Sequence, residues 1–194
     1  MKNLIKTLPL LGLLFAVACT KTTVTPSASS VALSSIDAQA QPTLSIGDQY
    51  GGGIIFFLDS TGQHGLVAAL HDMDTTSSWY NQVYWLVNAR ATGIGKGAVN
   101  TRKIINALGN TGSYAAKICI DYRGGGYADW FLPSKGELNL MYKKQAIIGG
   151  FVSGYYWSST ESDYKYAWSQ FFGFGYQGIY DKKFGFFVRP VRIF

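Results

Sequence analysis

Cysteine and histidine are scarce in this sequence, and their scarcity limits the chemistry that the chain can support. The chain has two of each, namely Cys19, Cys119, His64 and His71. A metal site needs several such ligands at short, recognisable spacings, and the sequence contains no such cluster. Asp72 and Asp74 lie beside His71, and we interpret this group as a polar loop. We therefore predict no metal site and no cofactor.

Runs of basic residues are also missing. The net charge of +6 falls to +4 if Lys2 and Lys6 are removed with an N-terminal signal. Proteins that track phosphate backbones concentrate lysine and arginine in patches, so nucleic acid is excluded as a predicted partner. Scattered lysines beside aromatic rings are instead compatible with an acidic polysaccharide. The lysines in question are Lys165, Lys182 and Lys183.

The N-terminus has the pattern of a secretory signal over residues 1–18. Two lysines precede an apolar run from Leu8 to Ala18, which is shorter than the roughly 20 residues that span a bilayer. The run ends in Ala-Val-Ala before Cys19, similar to a bacterial lipobox. We expect lipid on Cys19 and an exported protein anchored at the outer membrane or cell surface. The alternative is ordinary cleavage near Ala18, which leaves a soluble protein.

A change in composition divides the rest of the chain. Residues 19–43 are rich in Ser, Thr, Ala and Gln, and they predict a flexible, lipidated tether. Residues 44–194 predict one globular domain that is long enough to bury a core. If Cys19 carries lipid, Cys119 has no partner for an intramolecular disulfide, and we expect it to be a buried, inert thiol.

The order of the predicted elements favours an α+β domain. Apolar runs at 54–59 and 66–70 predict a β-hairpin, and short strands are predicted from Tyr155 onwards. Between them we predict helices over 102–108, capped by Asn100 or Thr101, and over 114–122, capped by Ser113. The strongest helix signal is Ser134 followed by Glu137, the pattern of a capping box. We expect the N- and C-terminal strands to pair in one twisted antiparallel sheet, with the central helices packed on it.

Residues 155–194 hold 15 of the chain's 30 aromatic residues. One segment of this length cannot bury so many rings in a core. Some rings are therefore expected to face solvent, and exposed rings beside polar groups are typical of binding surfaces.

Several separated motifs resemble the C-terminal domain family of the Legionella collagen-like adhesin. They are Gly47-Asp48, Gly52-Gly53-Ile54, Gly65-Leu66-Val67-Ala68-Ala69, Asp129-Trp130-Phe131-Leu132-Pro133-Ser134-Lys135, Tyr156-Trp157-Ser158-Ser159-Thr160-Glu161, Ala167-Trp168 and Val188-Arg189-Pro190-Val191-Arg192. The resemblance extends over residues 44–194. It implies a C-type-lectin-like fold, related to that of formylglycine-generating enzymes, in a surface protein whose namesake binds sulfated glycosaminoglycans.

The sequence also departs from these relatives. It lacks the collagen repeats of the namesake, and it lacks the disulfides and calcium-binding triplets of sugar-binding C-type lectins. The enzyme relatives depend on active cysteines, an arrangement that Cys119 alone does not supply. We therefore expect no catalysis.

The resemblance separates framework residues from candidate ligand contacts. Trp130, Trp157 and Trp168 are expected to anchor the core, and Arg189 and Arg192 to pair with carboxylates. The candidate ligand-binding residues lie between the motifs. They are Tyr164, Lys165, Tyr166, Ser169, Phe171, Phe174, Tyr176, Tyr180 and Lys182.

The expected function is adhesin-like binding of a polysaccharide, including a sulfated or acidic one, or of a partner protein. A homo-oligomer is left open. Three alternatives remain at this stage. They are a receptor scaffold whose C-terminal segment is diversified by a retroelement, a structural envelope lipoprotein and, ranked last, an enzyme of the formylglycine-generating type.

Overall fold

A computed structural model describes residues 43–73 and 75–194. The predicted signal peptide, the predicted lipidation site Cys19, the predicted tether as far as Pro42, and Asp74 lie outside the described residues. Within these ranges, no helix has the length and apolar character needed to cross a membrane.

The first sheet is antiparallel and joins the two ends of the domain. Its strands are β1 (Gln49–Tyr50), β2 (Gly53–Leu58), β3 (Gly65–Ala69) and β7 (Val191–Ile193), in the order β1-β2-β3-β7. The β2–β3 hairpin has an irregularity between Ile55 and Phe57. On the other side of β3, Leu66 pairs with Ile193 and Ala68 with Val191. The predicted hairpin and the predicted pairing of the terminal strands are both confirmed.

Three further strands form a separate antiparallel sheet, where the sequence predicts only one. This second sheet has the order β4 (Tyr155–Glu161), β5 (Tyr166–Phe171) and β6 (Gln177–Asp181). Four or five residues join each pair of neighbours, and such short connections favour pairing within a meander. The expectation of a single sheet is therefore wrong. The α+β class is confirmed, and the C-type-lectin-like fold remains a prediction.

The helices lie between the two strand groups in the chain. They are α1 (Gly97–Leu108), α2 (Ala115–Asp121), α3 (Lys135–Lys143) and α4 (Gln145–Ile148), with a short 3₁₀ turn at Gly124–Gly126. Helix α1 starts five residues before the predicted start. Helix α2 follows Tyr114 at its N-cap, so the predicted cap by Ser113 is wrong.

Asn100 and Thr101 lie inside α1, and their side chains join neighbouring segments rather than cap the helix. The Asn100 amide donates to the Ala91 carbonyl at 2.7 Å. The Thr101 hydroxyl accepts a hydrogen bond from the Leu132 amide at 3.0 Å. At the true start of α1, the Gly97 amide donates to Glu137, a residue of α3, at 3.4 Å. A carboxylate distant in sequence therefore supplies the cap that the prediction assigned to local residues.

The capping box of α3 is confirmed. The Glu137 amide donates to Ser134 Oγ at 3.2 Å, and the Ser134 amide donates to Glu137 Oε2 at 2.7 Å. Burial raises the pKa of the Glu137 carboxyl, although hydrogen bonds from Ser134, Gly97 and Gly95 oppose the shift. Ser134 Oγ also donates to the Gly93 carbonyl at 2.8 Å. Ser134 and Glu137 thus fix the starts of two helices and the loop before α1.

Two buried tryptophans connect the loop before α1 to the second sheet. Trp79 Nε1 donates to the Ser158 carbonyl, and Trp157 Nε1 donates to the Ser77 carbonyl, both at 2.8 Å. Both indoles are fully buried in one core cluster with Ile104 of α1. A second cluster contains Phe56 and packs α3 between the sheets. Because both indole N–H groups form hydrogen bonds, these rings are buried without the free-energy cost of an unpaired donor.

We predict that Ser134→Ala lowers the free energy of unfolding by about 1–2 kcal/mol. The change removes the α3 cap and leaves the Gly93 carbonyl without its donor. Urea denaturation measures the loss. Ser162→Ala is the matched control. It is expected to change the free energy of unfolding by less than about 0.5 kcal/mol, because the Ser162 hydroxyl forms no hydrogen bond within the part of the chain that the structure describes. Equal losses in the two variants would contradict the assigned role of Ser134.

Candidate functional site

The second sheet presents two different faces, because side chains alternate along each strand. One face turns Gln170 and Gln177 towards α3. Gln170 Nε2 donates to Asn139 Oδ1 and Gln177 Nε2 donates to the Lys135 carbonyl, each at 3.0 Å. The other face carries a continuous group of rings, which we call the aromatic face. Its members are Tyr155, Phe171, Phe174, Tyr176, Tyr180, Phe184 and Phe186.

Tyr155 lies at the centre of the aromatic face. Its ring centroid is 4.9 Å from those of Phe171 and Tyr180 and 5.0 Å from that of Phe186. Phe174 lies 4.7 Å beyond Phe171, and Phe184 lies 6.0 Å beyond Phe186. These spacings are typical of interacting aromatic pairs, so each ring supports its neighbours. The result is an unbroken row of five rings from Phe174 to Phe184.

Gly178 shapes the part of this face formed by β6. A Cβ atom at this position would lie 2.8 Å from the rings of both Tyr176 and Tyr180. Glycine therefore lets the two tyrosines close over the strand. The Tyr180 hydroxyl donates to the Tyr155 hydroxyl at 2.9 Å. This hydrogen bond, together with burial, raises the pKa of Tyr180 to about 12.

Exposure differs sharply among the rings of the aromatic face. Phe174 is 71% exposed, Tyr176 54% and Phe184 45%. Tyr155, Phe171, Tyr180 and Phe186 are half-buried beneath and between them. Exposed rings supported by half-buried rings form a fixed apolar surface, which single scattered aromatics do not.

Charge lies at one end of the aromatic face. Lys183 Nζ is 6.0 Å from the Phe184 ring centroid, and Lys165 Nζ is 3.7 Å from Asp181 Oδ2. Burial tends to raise the pKa of Asp181. A hydrogen bond from Tyr84, the Lys183 amide and the two lysine charges outweigh that effect, and the pKa is lowered. Asp181 is therefore a carboxylate, and it partly offsets the two lysine charges.

Two predicted ligand contacts are buried, and for these two residues the expectation of ligand contact is corrected. Ser169 is 1% exposed and lies on the sheet opposite Trp157 and Gly178. Lys182 is fully buried, with Nζ 2.7 Å from Glu161 Oε1 and 3.0 Å from both the Trp85 and Tyr164 carbonyl oxygens. Burial lowers the pKa of Lys182, and the hydrogen bond and charge of Glu161 oppose this effect. Lys182 is a framework residue because all three of its donors are used internally.

The remaining predicted contacts lie at two places. Phe171, Phe174, Tyr176 and Tyr180 belong to the aromatic face, whereas Tyr164, Lys165 and Tyr166 lie at the β4–β5 turn. Tyr164 is 59% exposed. Its carbonyl oxygen and that of Trp85 both accept from the Lys182 ammonium, which brings the turn close to the loop that contains Trp85. Val83, Trp85 and Leu86 of that loop are about half exposed. These three residues and Tyr164 form what we call the Trp85 cluster.

Some framework expectations also change. Trp85 is 56% exposed. Trp130 and Trp157 are buried as predicted, whereas Trp168 is only half-buried and carries Lys135 Nζ at 3.2 Å from its ring centroid. Trp168 lies on an outer strand pair opposite the exposed Ile179, so nothing covers it fully. Sequence reasoning also missed Tyr155, Phe184 and Phe186, although the excess of aromatic residues in this segment pointed to them.

Other framework predictions are confirmed. Arg189 is buried, and its Nε donates to Asp72 Oδ1 at 2.6 Å. Arg192 Nε donates to Asp129 Oδ1 at 2.5 Å. Cys119 is fully buried, and burial raises the pKa of its thiol well above the ordinary value. Such a thiol is a poor nucleophile.

Residues 69–192, which are 124 of the 194 residues, match the family model of the Lcl C-terminal domain. The chain belongs to the Lcl C-terminal domain family. Membership confirms the predicted family and suggests an adhesin-like surface domain. The match includes α1 to α4, the whole second sheet and the aromatic face. No curated protein matches the chain.

Lys182 of this Lcl C-terminal domain offers a direct test of the corrected assignment. We predict that Lys182→Met lowers the free energy of unfolding by about 3–5 kcal/mol, because it leaves the buried Glu161 carboxylate without its cation. Lys183→Met changes the next residue, whose side chain is 59% exposed, and is expected to cost less than about 0.5 kcal/mol. Urea denaturation of both variants makes the comparison. A loss below about 1 kcal/mol for Lys182→Met would return Lys182 to the candidate ligand contacts.

Proposed function

We propose that this protein is an exported lipoprotein at the cell surface or outer membrane, and that its domain binds an acidic polysaccharide without catalysis. The observation that carries the proposal is the aromatic face, an unbroken row of rings whose two ends are exposed and whose Phe184 end lies beside Lys183. Aromatic rings stack against the apolar faces of sugars, and lysine attracts sulfate or carboxylate groups.

The charge arrangement supports an acidic ligand over a neutral one. Lys183 has a 59% exposed side chain and is 3.9 Å from Asp181, a weak pair that leaves most of its ammonium in solvent. Lys165 is 39% exposed and shares the same carboxylate. Two cations that face one carboxylate leave an excess positive charge at this end of the face.

A non-catalytic role agrees with the state of the single thiol in the described chain. Cys119 is buried among the apolar side chains of the Trp79 and Trp157 core cluster. Chemistry of the formylglycine-generating type would require this thiol to reach a substrate and to ionise, and burial opposes both.

A protein ligand is the second candidate, and the Trp85 cluster favours it. Tryptophan and tyrosine with aliphatic neighbours are typical of interface hot spots. Lys182 and Glu161 fix the backbone of the Trp85 loop. The Val87 and Asn88 amides donate to the Glu161 carboxylate at 2.9 and 2.7 Å, and Lys182 donates to the Trp85 carbonyl. A rigid loop loses little entropy on binding.

Binding to immobilised heparin, compared with unsulfated hyaluronan and with neutral dextran, tests the proposal. We expect Phe174→Ala and Tyr176→Ala each to weaken heparin binding by about tenfold, the loss typical of one exposed stacking ring. The melting temperature is expected to change little, because both side chains are mostly in solvent. The matched control is Tyr50→Ala, an exposed tyrosine of the first sheet, which is expected to bind like the native protein.

Two further measurements test the polysaccharide site: the salt dependence of heparin binding and the effect of Trp85→Ala on that binding. Raising the salt concentration is expected to weaken heparin binding, because exposed charges are screened. If none of the three polysaccharides is retained, the polysaccharide proposal fails. Heparin binding that is lost in Trp85→Ala but kept in Tyr176→Ala would place the polysaccharide at the Trp85 cluster and contradict its assignment to the aromatic face.

A further inference from the structure

A cavity of about 430 Å³ lies between α1, α2 and β7, away from the aromatic face. Helix α1 contributes one face, with Ala98, Thr101, Arg102 and Ile105 at helical spacing. Ile120 of α2 and Ile193 of β7 form the opposite walls. The volume lies within the range of small-molecule sites, and most of the lining is apolar.

Arg102 supplies an uncommitted positive charge to this cavity. Asp129 also lines it, but its carboxylate is held by Arg192 at 2.5 Å, and the Arg192 guanidinium lies 3.6 Å above the Tyr127 ring. Among residues 43–73 and 75–194, Arg102 forms no ion pair and no side-chain hydrogen bond. The lining therefore carries one cation without a partner among the described residues and one carboxylate that is paired with Arg192.

The backbone of Ile193 adds polar groups to the same wall. Gly65 and Phe194 exchange both of their backbone hydrogen bonds, each at 3.2 Å. Ile193, opposite Leu66, therefore occupies a position whose N–H and C=O point away from β3. These groups point to the side of β7 on which Phe131 pairs with Val191, and Phe131 also lines the cavity.

A second cavity adjoins the first and indicates which way round a ligand would bind. It has a volume of about 150 Å³, shares Ile193 with the first, and is lined by Phe57, Leu66 and Ile94. Its ionisable residues are Asp59 and His64, and the pKa of Asp59 is lowered chiefly by the hydrogen bond from the Thr61 side chain. A negative charge at this end repels an anionic group, so the anionic end of a ligand belongs at Arg102.

We propose that the cavity between α1 and β7 binds a fatty-acid-like amphiphile, with its carboxylate at Arg102 and its apolar chain directed past Ile193. The apolar walls exclude a strongly hydrated ligand, and the single free guanidinium selects one anionic group. This site is independent of the aromatic face, and either proposal can fail without the other.

Titration of the isotope-labelled full chain with decanoate tests the proposal, with 1-decanol as the uncharged probe of equal chain length. Amide chemical shifts in ¹H–¹⁵N NMR spectra report binding. We expect saturable shifts at Arg102, Ile105 and Ile193 with decanoate, and at least about tenfold weaker binding of decanol, because the alcohol lacks the charge-assisted contact.

Two variants and a control locate the ligand. Arg102→Gln is expected to bring decanoate binding to the level of decanol. Ala98→Leu, which fills the cavity from α1, is expected to weaken both probes. The control Arg90→Gln also removes an exposed arginine and is expected to bind decanoate as tightly as the native protein.

Three results would overturn the site. They are the absence of saturable shifts in the native chain, equal binding of decanoate and decanol, and decanoate binding unchanged in both Arg102→Gln and Ala98→Leu. Because Arg102 is exposed, its replacement leaves the fold intact, and the test does not depend on a destabilised variant.

Discussion

The buried ion pair between Lys182 and Glu161 is the interaction on which the candidate surfaces depend. The ammonium contacts the carboxylate and the carbonyls of Trp85 and Tyr164, and it lies 4.6 Å from the Trp79 ring centroid. Glu161 in turn holds the backbone of the loop after Trp85. One pair of charges thus fixes the end of β4, the β4–β5 turn, the end of β6 and the Trp85 loop. Removing two charges from water costs free energy, and the three hydrogen bonds that the Lys182 ammonium donates offset this cost.

Rigidity of this kind explains how so many aromatic residues can remain at a surface. Half-buried rings such as Tyr155 and Phe186 connect the exposed rings to Trp157 in the core, where the Phe186 and Trp157 centroids are 4.4 Å apart. The exposed rings are therefore held in place before any ligand arrives. A ligand that stacks on them loses less binding energy to ordering of the protein than it would on flexible side chains. Stability and the proposed binding are thus linked through the same cluster of rings, and the proposal assigns the most exposed rings mainly to binding.

Local signals in the sequence were sufficient for some elements and insufficient for others. The α3 capping box and the β2–β3 hairpin depend on residues a few positions apart, and both were predicted. The start of α1 was missed because its cap comes from Glu137, 40 residues away. Lys182 was misassigned because a lysine among tyrosines and phenylalanines is typical of an exposed position. Its burial depends on Glu161, Trp85 and Tyr164 meeting in space. The aromatic excess predicted an exposed patch, but the alternation of strand faces was needed to separate Tyr176 from Trp168.

The central claim is that the aromatic face of this Lcl C-terminal domain is where the ligand binds. A titration of the native protein with a size-defined heparin oligosaccharide, followed by NMR of the aromatic side chains, tests it most directly. The account predicts saturable shifts at Phe174, Tyr176 and Phe184, with weaker changes at Tyr155. Shifts confined to Trp85, Leu86 and Tyr164, or to the first sheet, would contradict it.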